Sequence, residues 1–474
     1  MPLGSRAPST FEPRPTLRHS VAGLAIALLL ISSLVLIGCR QAAGSSPEPP
    51  AWDDPLSFDD IVAWLAGLSS LAGSNSPDEV KYLEYFSGAF AAKMATIASD
   101  RAYSVQPVRM SYPSSYTKEG LSLSWTLGGL AWLPVTKSGP PSPVPIIAFQ
   151  HGTEVDWLRA PSLFQPNLFV ALGGLAARDP EGALQNYLEC MIGAMMASKG
   201  YIVVMPDYPG FGSAGVPHPY VHRALGSSVR DIVAKAAAMA KSDWAGRIAW
   251  DGRIFLIGYS EGGYATMVGA QALQENPVAG GTVVAAIPCD GPYDLSGTMV
   301  PRILAGTAEP APYYVPYLMY GYHSLYKDDP AFDFSSIFMP AYAASLPPLF
   351  DGTHGSVEIN KAMPSPFPKD VLSAAAITAL AAPTSDLFLK LKANDAYRGW
   401  ASPPSMLINM IQCYGDDVIP AQNAEAAHTA FGDAVHVPDV IYLDPITVID
   451  MSAQFHARGF PAAILRGFQI IAGE

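Results

Sequence analysis

Six apolar runs constrain this chain more than any other feature. "VPIIAFQHG", "GYIVVMPDYPGFG", "RIFLIGYS", "TVVAAIPCDGPYD", "PSMLINMIQCYGDD" and "VHVPDVIYL" follow one another between residues 144 and 443, each ending in a turn rich in Gly, Asp or Pro. Helix-like stretches such as "VRDIVAKAAAMAKS" and "EGGYATMVGAQALQ" lie between several of them. A continuous apolar run is a strand buried on both faces, and strands separated by helices form a mostly parallel sheet covered on both sides. With 474 residues, 50% of them hydrophobic and 15% charged, the chain can bury a large core and is too apolar for general disorder. In such sheets ligands sit at the carboxyl ends of the strands, where these turns fall.

Two parts of the chain depart from this rhythm. Between residues 55 and 135, "DDIVAWLAGLSSL" and "EVKYLEYFSGAFAAKMATIA" have helical spacing, and "YSVQPVRMSYPS" with "LSLSWTLGGLAWLPV" predicts two strands joined by a polar turn. Between Asp294 and about Trp400 no strand–helix unit is legible, and stretches such as "EPAPYYVPYLMYGYHSLY" are rich in Pro and Tyr. That length is too great for a loop in a compact domain, so an inserted, partly helical subdomain is expected.

The N-terminus has an origin of its own. Arg6, Arg14, Arg18 and His19 precede an apolar stretch from Val21 to Ile37, followed by Gly38-Cys39. A basic start, an apolar middle and a small residue before a cleavage point describe a secretory signal. The alternative is an uncleaved membrane anchor at the lower edge of spanning length. "LIGC", Leu36 to Cys39, resembles the lipobox of bacterial lipoproteins, which implies a lipidated Cys39 and a place in the cell envelope outside the cytoplasmic membrane. The small, polar, proline-rich "QAAGSSPEPPAWDDP" that follows suits a tether. The expected organisation is a signal peptide at 1–38, a tether at 39–54, the first part of an α/β domain at 55–294, the insertion at 295–400 and the rest of the α/β domain at 401–474.

A net charge of −13 without a basic run argues against a nucleic-acid surface. Cys190, Cys289 and Cys413 remain after the signal; three thiols cannot all pair, and their apolar settings predict buried free cysteines.

The chemistry centres on "FLIGYSEGGYATM", residues 255 to 267, where an apolar strand breaks on Ser260 and a glycine-rich helix begins. Gly-x-Ser-x-Gly between strand and helix is the pattern of a nucleophile elbow. Such a serine needs a base, the base needs a carboxylate and the developing oxyanion needs donors. His456 in "AQFHARGFPAAILRGF" is the candidate base. Asp416 in "QCYGDDVIPAQNA", directly after an apolar strand, is the candidate acid.

The order Ser260, Asp416, His456 is that of the α/β-hydrolase fold. From about residue 120 to the C-terminus the chain resembles an α/β-hydrolase, and within that superfamily the secretory lipase group. "FQHGT" at 149–153 resembles that group's His-Gly oxyanion loop. "MPDYPGFG" at 205–212 with "HPYVHRALGSSVRD" at 218–231 resembles its strand and following segment. "YGDDVIP" resembles its acid turn, in which Asp lies four residues before Pro, which selects Asp416 with Asp417 as the alternative. Lipases often carry Gln or His after the nucleophile; here Glu261 stands there.

The resemblance implies a serine carboxylic-ester hydrolase whose oxyanion is held by the backbone N–H groups of Thr153 and Glu261, with no metal or organic cofactor. His151, His218 and His222 are expected in structural or pocket roles rather than as metal ligands. The insertion is expected to act as a lid, with Tyr313, Tyr317, Leu318 and Tyr320 as candidate acyl-pocket residues. Three alternatives stay open: a prolyl oligopeptidase-like peptidase, a non-catalytic binding lipoprotein on the same fold, and an acyltransferase.

Overall fold

The apolar runs pair into one sheet. The computed structural model describes residues 55–474 except 72–80, 82–83, 101, 136–141, 165–179, 213–215, 245, 401–402, 433 and 445–454. The expected signal peptide, tether and Cys39 therefore lie outside the described residues. Among the described residues nine strands form the sheet: β1 (Ser104–Tyr116), β2 (Leu123–Val135), β3 (Val144–Gln150), β4 (Ile202–Pro206), β5 (Trp250–Tyr259), β6 (Thr282–Cys289), β7 (Leu407–Ile408), β8 (Ile411–Cys413) and β9 (Ile441–Leu443). Their order is β1-β2-β4-β3-β5-β6-β8-β9, with β7 also paired to β6. β1 pairs antiparallel with β2 from Ser104 opposite Val135 to Tyr116 opposite Leu123, and β2 pairs antiparallel with β4. Every pairing from β4 through β3, β5, β6 and β8 to β9 is parallel.

The buried stretches of the central strands are apolar because each face has its own cover. The main helices are α1 (Phe58–Leu71), α2 (Pro180–Ala197), α3 (Leu225–Lys241), α4 (Glu261–Glu275), α5 (Tyr314–Leu325), α6 (Gln422–Phe431) and α7 (Phe455–Ala472). Side chains alternate along a strand, so Ile146, Ala148, Val204 and Leu256 pack with α3 and α4. Ile147, Phe149, Val203 and Ile257 pack on the other face with α1, α2 and α7.

The segment between β6 and β7 is helical, with α5 its longest element and no strand among the described residues of 295–400. Its apolar side chains, including Tyr317, Phe332, Ile359 and Leu391, run into the same core as α3 and α4. The segment leaves the sheet at the carboxyl end of β6, near which Ala396 N–H donates to the Tyr293 carbonyl and Ser296 N–H to Asp395, and the chain then crosses back to the amino end of β7, which runs parallel to β6. Among the described residues no single helix is long and apolar enough to cross a membrane.

Candidate active site

The turn at Ser260 is strained and closely packed. β5 ends at Tyr259, α4 begins at Glu261, and Ser260 between them has φ +59 and ψ −123. A non-glycine residue in that region carries about 1–3 kcal/mol of strain, which its surroundings must hold in place. Ser260 N–H donates to the Cys289 carbonyl at 3.0 Å, tying the turn to the end of β6. The two glycines that follow are required by close approach. A Cβ at Gly262 would overlap the Gln150 carbonyl oxygen and lie 2.8 Å from that of His151, and one at Gly263 would overlap the Cys289 carbonyl. The helix thus starts hard against the ends of β3 and β6, with the Ser260 hydroxyl left at the tip.

His456, in the first turn of α7, meets this hydroxyl with Nε2 at 2.9 Å from Ser260 Oγ. Its Nδ1 lies 2.6 Å from Asp416 Oδ2. Asp416 Oδ1 accepts the backbone N–H groups of Val418 at 2.9 Å and Ile419 at 2.7 Å, which fixes the carboxylate plane. A carboxylate held by donors on one oxygen offers the other as an acceptor, so Nδ1 carries the hydrogen and Nε2 is free to accept from Ser260. The Asp416 side chain is 1% exposed and that of His456 12%, leaving the imidazole on the open side.

Asp417 takes a different part: its Oδ1 accepts the His456 backbone N–H at 3.0 Å. The His456 carbonyl in turn accepts the Tyr259 hydroxyl at 2.6 Å. Burial pushes the His456 imidazole pKa down, but the charge and hydrogen bond of Asp416, helped by Asp290 and Asp417, hold it above its ordinary value.

Asp290, at the end of β6, supports the acid turn from below. Its Oδ1 accepts Cys413 N–H and Gln412 Nε2, each at 2.7 Å. Burial, with the Asp416 charge added, drives its carboxyl well above the usual range.

The loop after β3 faces the turn from the other side. Gly152 N–H donates to Glu189 Oε1 of α2 at 3.0 Å, and burial raises the Glu189 carboxyl to about 8. Thr153 Oγ1 lies 3.2 Å from the Tyr220 hydroxyl. Neither the Thr153 nor the Glu261 backbone N–H donates to any group among the described residues. An unengaged N–H at a helix N-terminus directly after a serine, as at Glu261, is suited to an anionic oxygen.

His151, His218 and His222 each have protein partners. His151 Nδ1 bonds the Gly152 carbonyl at 2.8 Å and stacks on Tyr208, and burial lowers its pKa to about 4. His222 Nε2 lies 2.9 Å from the Tyr326 hydroxyl while its Nδ1 accepts Ala224 N–H. His218 bridges to Glu261. Cys190, Cys289 and Cys413 are buried free thiols. Among the described residues no group of His, Cys, Asp or Glu could hold a metal ion.

A cavity of about 220 Å³ opens between the insertion and the loops at this edge, lined by Val155, Trp157, Phe211, His218, Tyr317, Tyr320 and Phe350, with Asp351 at its margin. Tyr317 and Tyr320 of the expected pocket set face it. Tyr313 and Leu318 are buried in the core and are not among its lining residues. The supports contributed by Tyr259, Glu189, Asp290 and the His218–Glu261 bridge were not read from the sequence. One signal was available: Glu189 is a lone carboxylate in the apolar helical run "YLECMIGAMMA", where a charge persists only with partners.

Comparison with known proteins agrees with this architecture. The model of the secretory lipase family matches residues 181–279, the stretch from α2 through the Ser260 turn and α4. No curated protein matches the sequence. Among solved structures, a candidate hydrolase from Legionella pneumophila is 24% identical with a TM-score of 0.62, covering 88% of this chain and 95% of its own. The rice cell wall degrading esterase LipA from Xanthomonas oryzae is 20% identical with a TM-score of 0.60, covering 88% and 94%. Candida antarctica lipase A is 15% identical with a TM-score of 0.50, covering 72% and 73%. The chain has the α/β-hydrolase fold, and its segment around Ser260 resembles the secretory lipases.

Proposed function

We propose that this protein is a serine carboxylic-ester hydrolase of lipase or esterase type, secreted and tethered to the envelope by lipid on Cys39. The observation that carries the reading is the unbroken hydrogen-bond chain from Ser260 Oγ through His456 to Asp416, raised on a strained elbow. The lipases and esterases among its structural relatives support the reaction class. The described residues before β3 add two strands to the main sheet itself, which speaks against a propeller-bearing peptidase.

In the first half-reaction His456 Nε2 takes the Ser260 proton as Oγ attacks the ester carbonyl, and Asp416 stabilises the imidazolium through Nδ1–H. The oxyanion accepts the N–H groups of Glu261 and Thr153, each contributing on the order of 3 kcal/mol. His456 then protonates the leaving alkoxide, and the alcohol departs from a Ser260 acyl-enzyme. In the second half His456 draws a proton from water, the hydroxide attacks the acyl carbon, and Ser260 recovers its proton as the acid leaves. The insertion acts as the lid, and its aromatic cavity takes the apolar part of the acyl chain, each buried methylene contributing about 0.8 kcal/mol.

The test is hydrolysis of nitrophenyl esters of graded chain length beside a prolyl amide, with fluorophosphonate labelling of wild type and Ser260→Ala. Ester turnover peaking at medium or longer chains, and labelling lost in Ser260→Ala, are expected. Equal labelling of the variant would remove Ser260 from the mechanism. A preference for the prolyl amide would transfer the protein to the peptidases, and a peak at acetate would make the insertion packing rather than an acyl wall.

A further inference from the structure

Glu189 stands in an apolar stretch of α2 and is 2% exposed. Its Oε1 accepts the Gly152 N–H at 3.0 Å. Burial raises its carboxyl to about 8, against the pull of hydrogen bonds from Gly152 and Gln185. An apolar side chain would fill the same space without the cost of burying a carboxyl group. What sets Glu189 apart is therefore the group it holds, which lies one residue before the proposed oxyanion donor Thr153.

Gly152 joins two peptide planes. The first carries its own N–H, and the second carries its carbonyl together with the Thr153 N–H. Without a Cβ, a glycine leaves such planes free to swivel. Here both are pinned. Glu189 holds the first through the Gly152 N–H. His151 Nδ1, 2.8 Å from the Gly152 carbonyl oxygen, holds the second. A carbonyl only accepts, so Nδ1 carries the hydrogen. The His151 ring is itself stacked on Tyr208, with centroids 4.2 Å apart. Because the C=O and N–H of a trans peptide point opposite ways in one plane, fixing the Gly152 carbonyl fixes the direction of the Thr153 N–H. The fit admits no larger residue, since a Cβ on Gly152 would stand 2.7 Å from Gln185 Nε2 and 3.3 Å from Glu189 Oε1. The same loop lies against the nucleophile turn: that Cβ would be 3.8 Å from the Tyr259 carbonyl oxygen, and one on Gly262 would be 2.8 Å from that of His151. α2 also holds the loop further along, where Asn186 Nδ2 donates to the Arg159 carbonyl.

We infer that Glu189 is a positioning residue for the ester hydrolysis: by holding the Gly152 N–H from α2 it sets the peptide planes of the oxyanion loop, so that the Thr153 N–H is aimed before the substrate arrives. This rests on the hydrolase reading above. An oxyanion donor acts mainly when charge develops in the transition state, so its misalignment lowers kcat and leaves substrate binding nearly unchanged.

The experiment measures kcat and KM with a nitrophenyl ester, and the affinity for a trifluoromethyl ketone as an analogue of the tetrahedral intermediate, in wild type, Glu189→Gln, Glu189→Met and Met191→Ala. Glutamine keeps an acceptor for the Gly152 N–H, and methionine fills the space without one. Met191→Ala disturbs the packing of α2 and leaves the acceptor in place. Glu189→Gln should keep kcat within a few-fold of wild type. Glu189→Met should lower kcat roughly tenfold or more, up to the about 10²–10³ lost when an oxyanion donor is removed outright, and should weaken the ketone by the same factor with KM little changed. Met191→Ala should lower the unfolding midpoint and keep kcat. An unchanged kcat in Glu189→Met, equal losses in the glutamine and methionine variants, a loss confined to KM, a ketone affinity that does not follow kcat, or an equal fall in Met191→Ala overturns the inference. If Glu189→Met does not fold, a tenfold loss of kcat in folded Glu189→Gln still overturns it. Fluorophosphonate labelling that depends on Ser260 tests the hydrolase reading separately, so the two can fail independently.

Discussion

Asp416→Asn and Asp417→Asn are isosteric changes at adjacent carboxylates, and the structure gives them opposite weights. Asp416 accepts on both sides: two backbone N–H groups on Oδ1 and His456 Nδ1 on Oδ2. An asparagine that keeps its oxygen on Val418 and Ile419 turns its NH₂ toward Nδ1, so Nδ1 must give up its hydrogen. The proton then moves to Nε2, which donates to Ser260 and can no longer accept from it. The flipped amide is no better, since it sets its NH₂ against two backbone donors. Fixing the wrong tautomer lowers kcat by about 10⁴, near 5 kcal/mol of lost transition-state stabilisation.

Asp417 uses one oxygen, toward His456 N–H, and an asparagine oxygen can accept there too. Only the charge assistance is lost, on the order of 1 kcal/mol, or several-fold in rate. Steady-state kcat on a nitrophenyl ester, with circular dichroism to check folding, measures both. A loss of about 10⁴ in Asp417→Asn with Asp416→Asn nearly intact would refute the assignment and the tautomer argument with it.

Four further outcomes follow from particular contacts. His456 must be neutral to act as base, and its pKa is held above 6.5, so kcat/KM should fall as pH drops through a midpoint above 6.5; in Asp416→Asn, which removes the largest raising charge, residual activity should show a lower midpoint. Gly262→Ala sets a Cβ against the Gln150 and His151 carbonyls, and should cost at least the about 1–3 kcal/mol of core overpacking, measured by urea unfolding, with a lower labelling rate at Ser260. Glu189 is raised from 4.5 to about 8 on folding, so its burial favours the protonated form and stability declines as pH rises across that window; Glu189→Gln should flatten the decline by up to a few kcal/mol, read from unfolding midpoints at several pH values. Cys39→Ser should abolish metabolic labelling with palmitate, and unchanged labelling would place the attachment elsewhere.

What the sequence alone determined was the part governed by local periodicity. Strands β3 and β4 and the carboxyl-terminal halves of β5 and β6 are apolar runs because both faces are covered, and that is visible without knowing what covers them. The Ser260 turn was legible for a similar reason, since Gly262 and Gly263 record contacts that exclude any side chain. The helical insertion showed itself as a break in the rhythm, but that its apolar residues share the core of α3 and α4 did not. Tertiary structure decided the partnerships. The spacing before Pro420 favoured Asp416, yet only the convergence of the β8 turn with α7 puts Asp416 on the imidazole and Asp417 on the backbone of the same histidine. Tyr259 beneath His456, Glu189 behind Gly152 and His218 against Glu261 join residues far apart in the chain. No local pattern encodes such pairs, because a hydrogen bond depends on where two loops end in space while periodicity reports only which side of an element is buried.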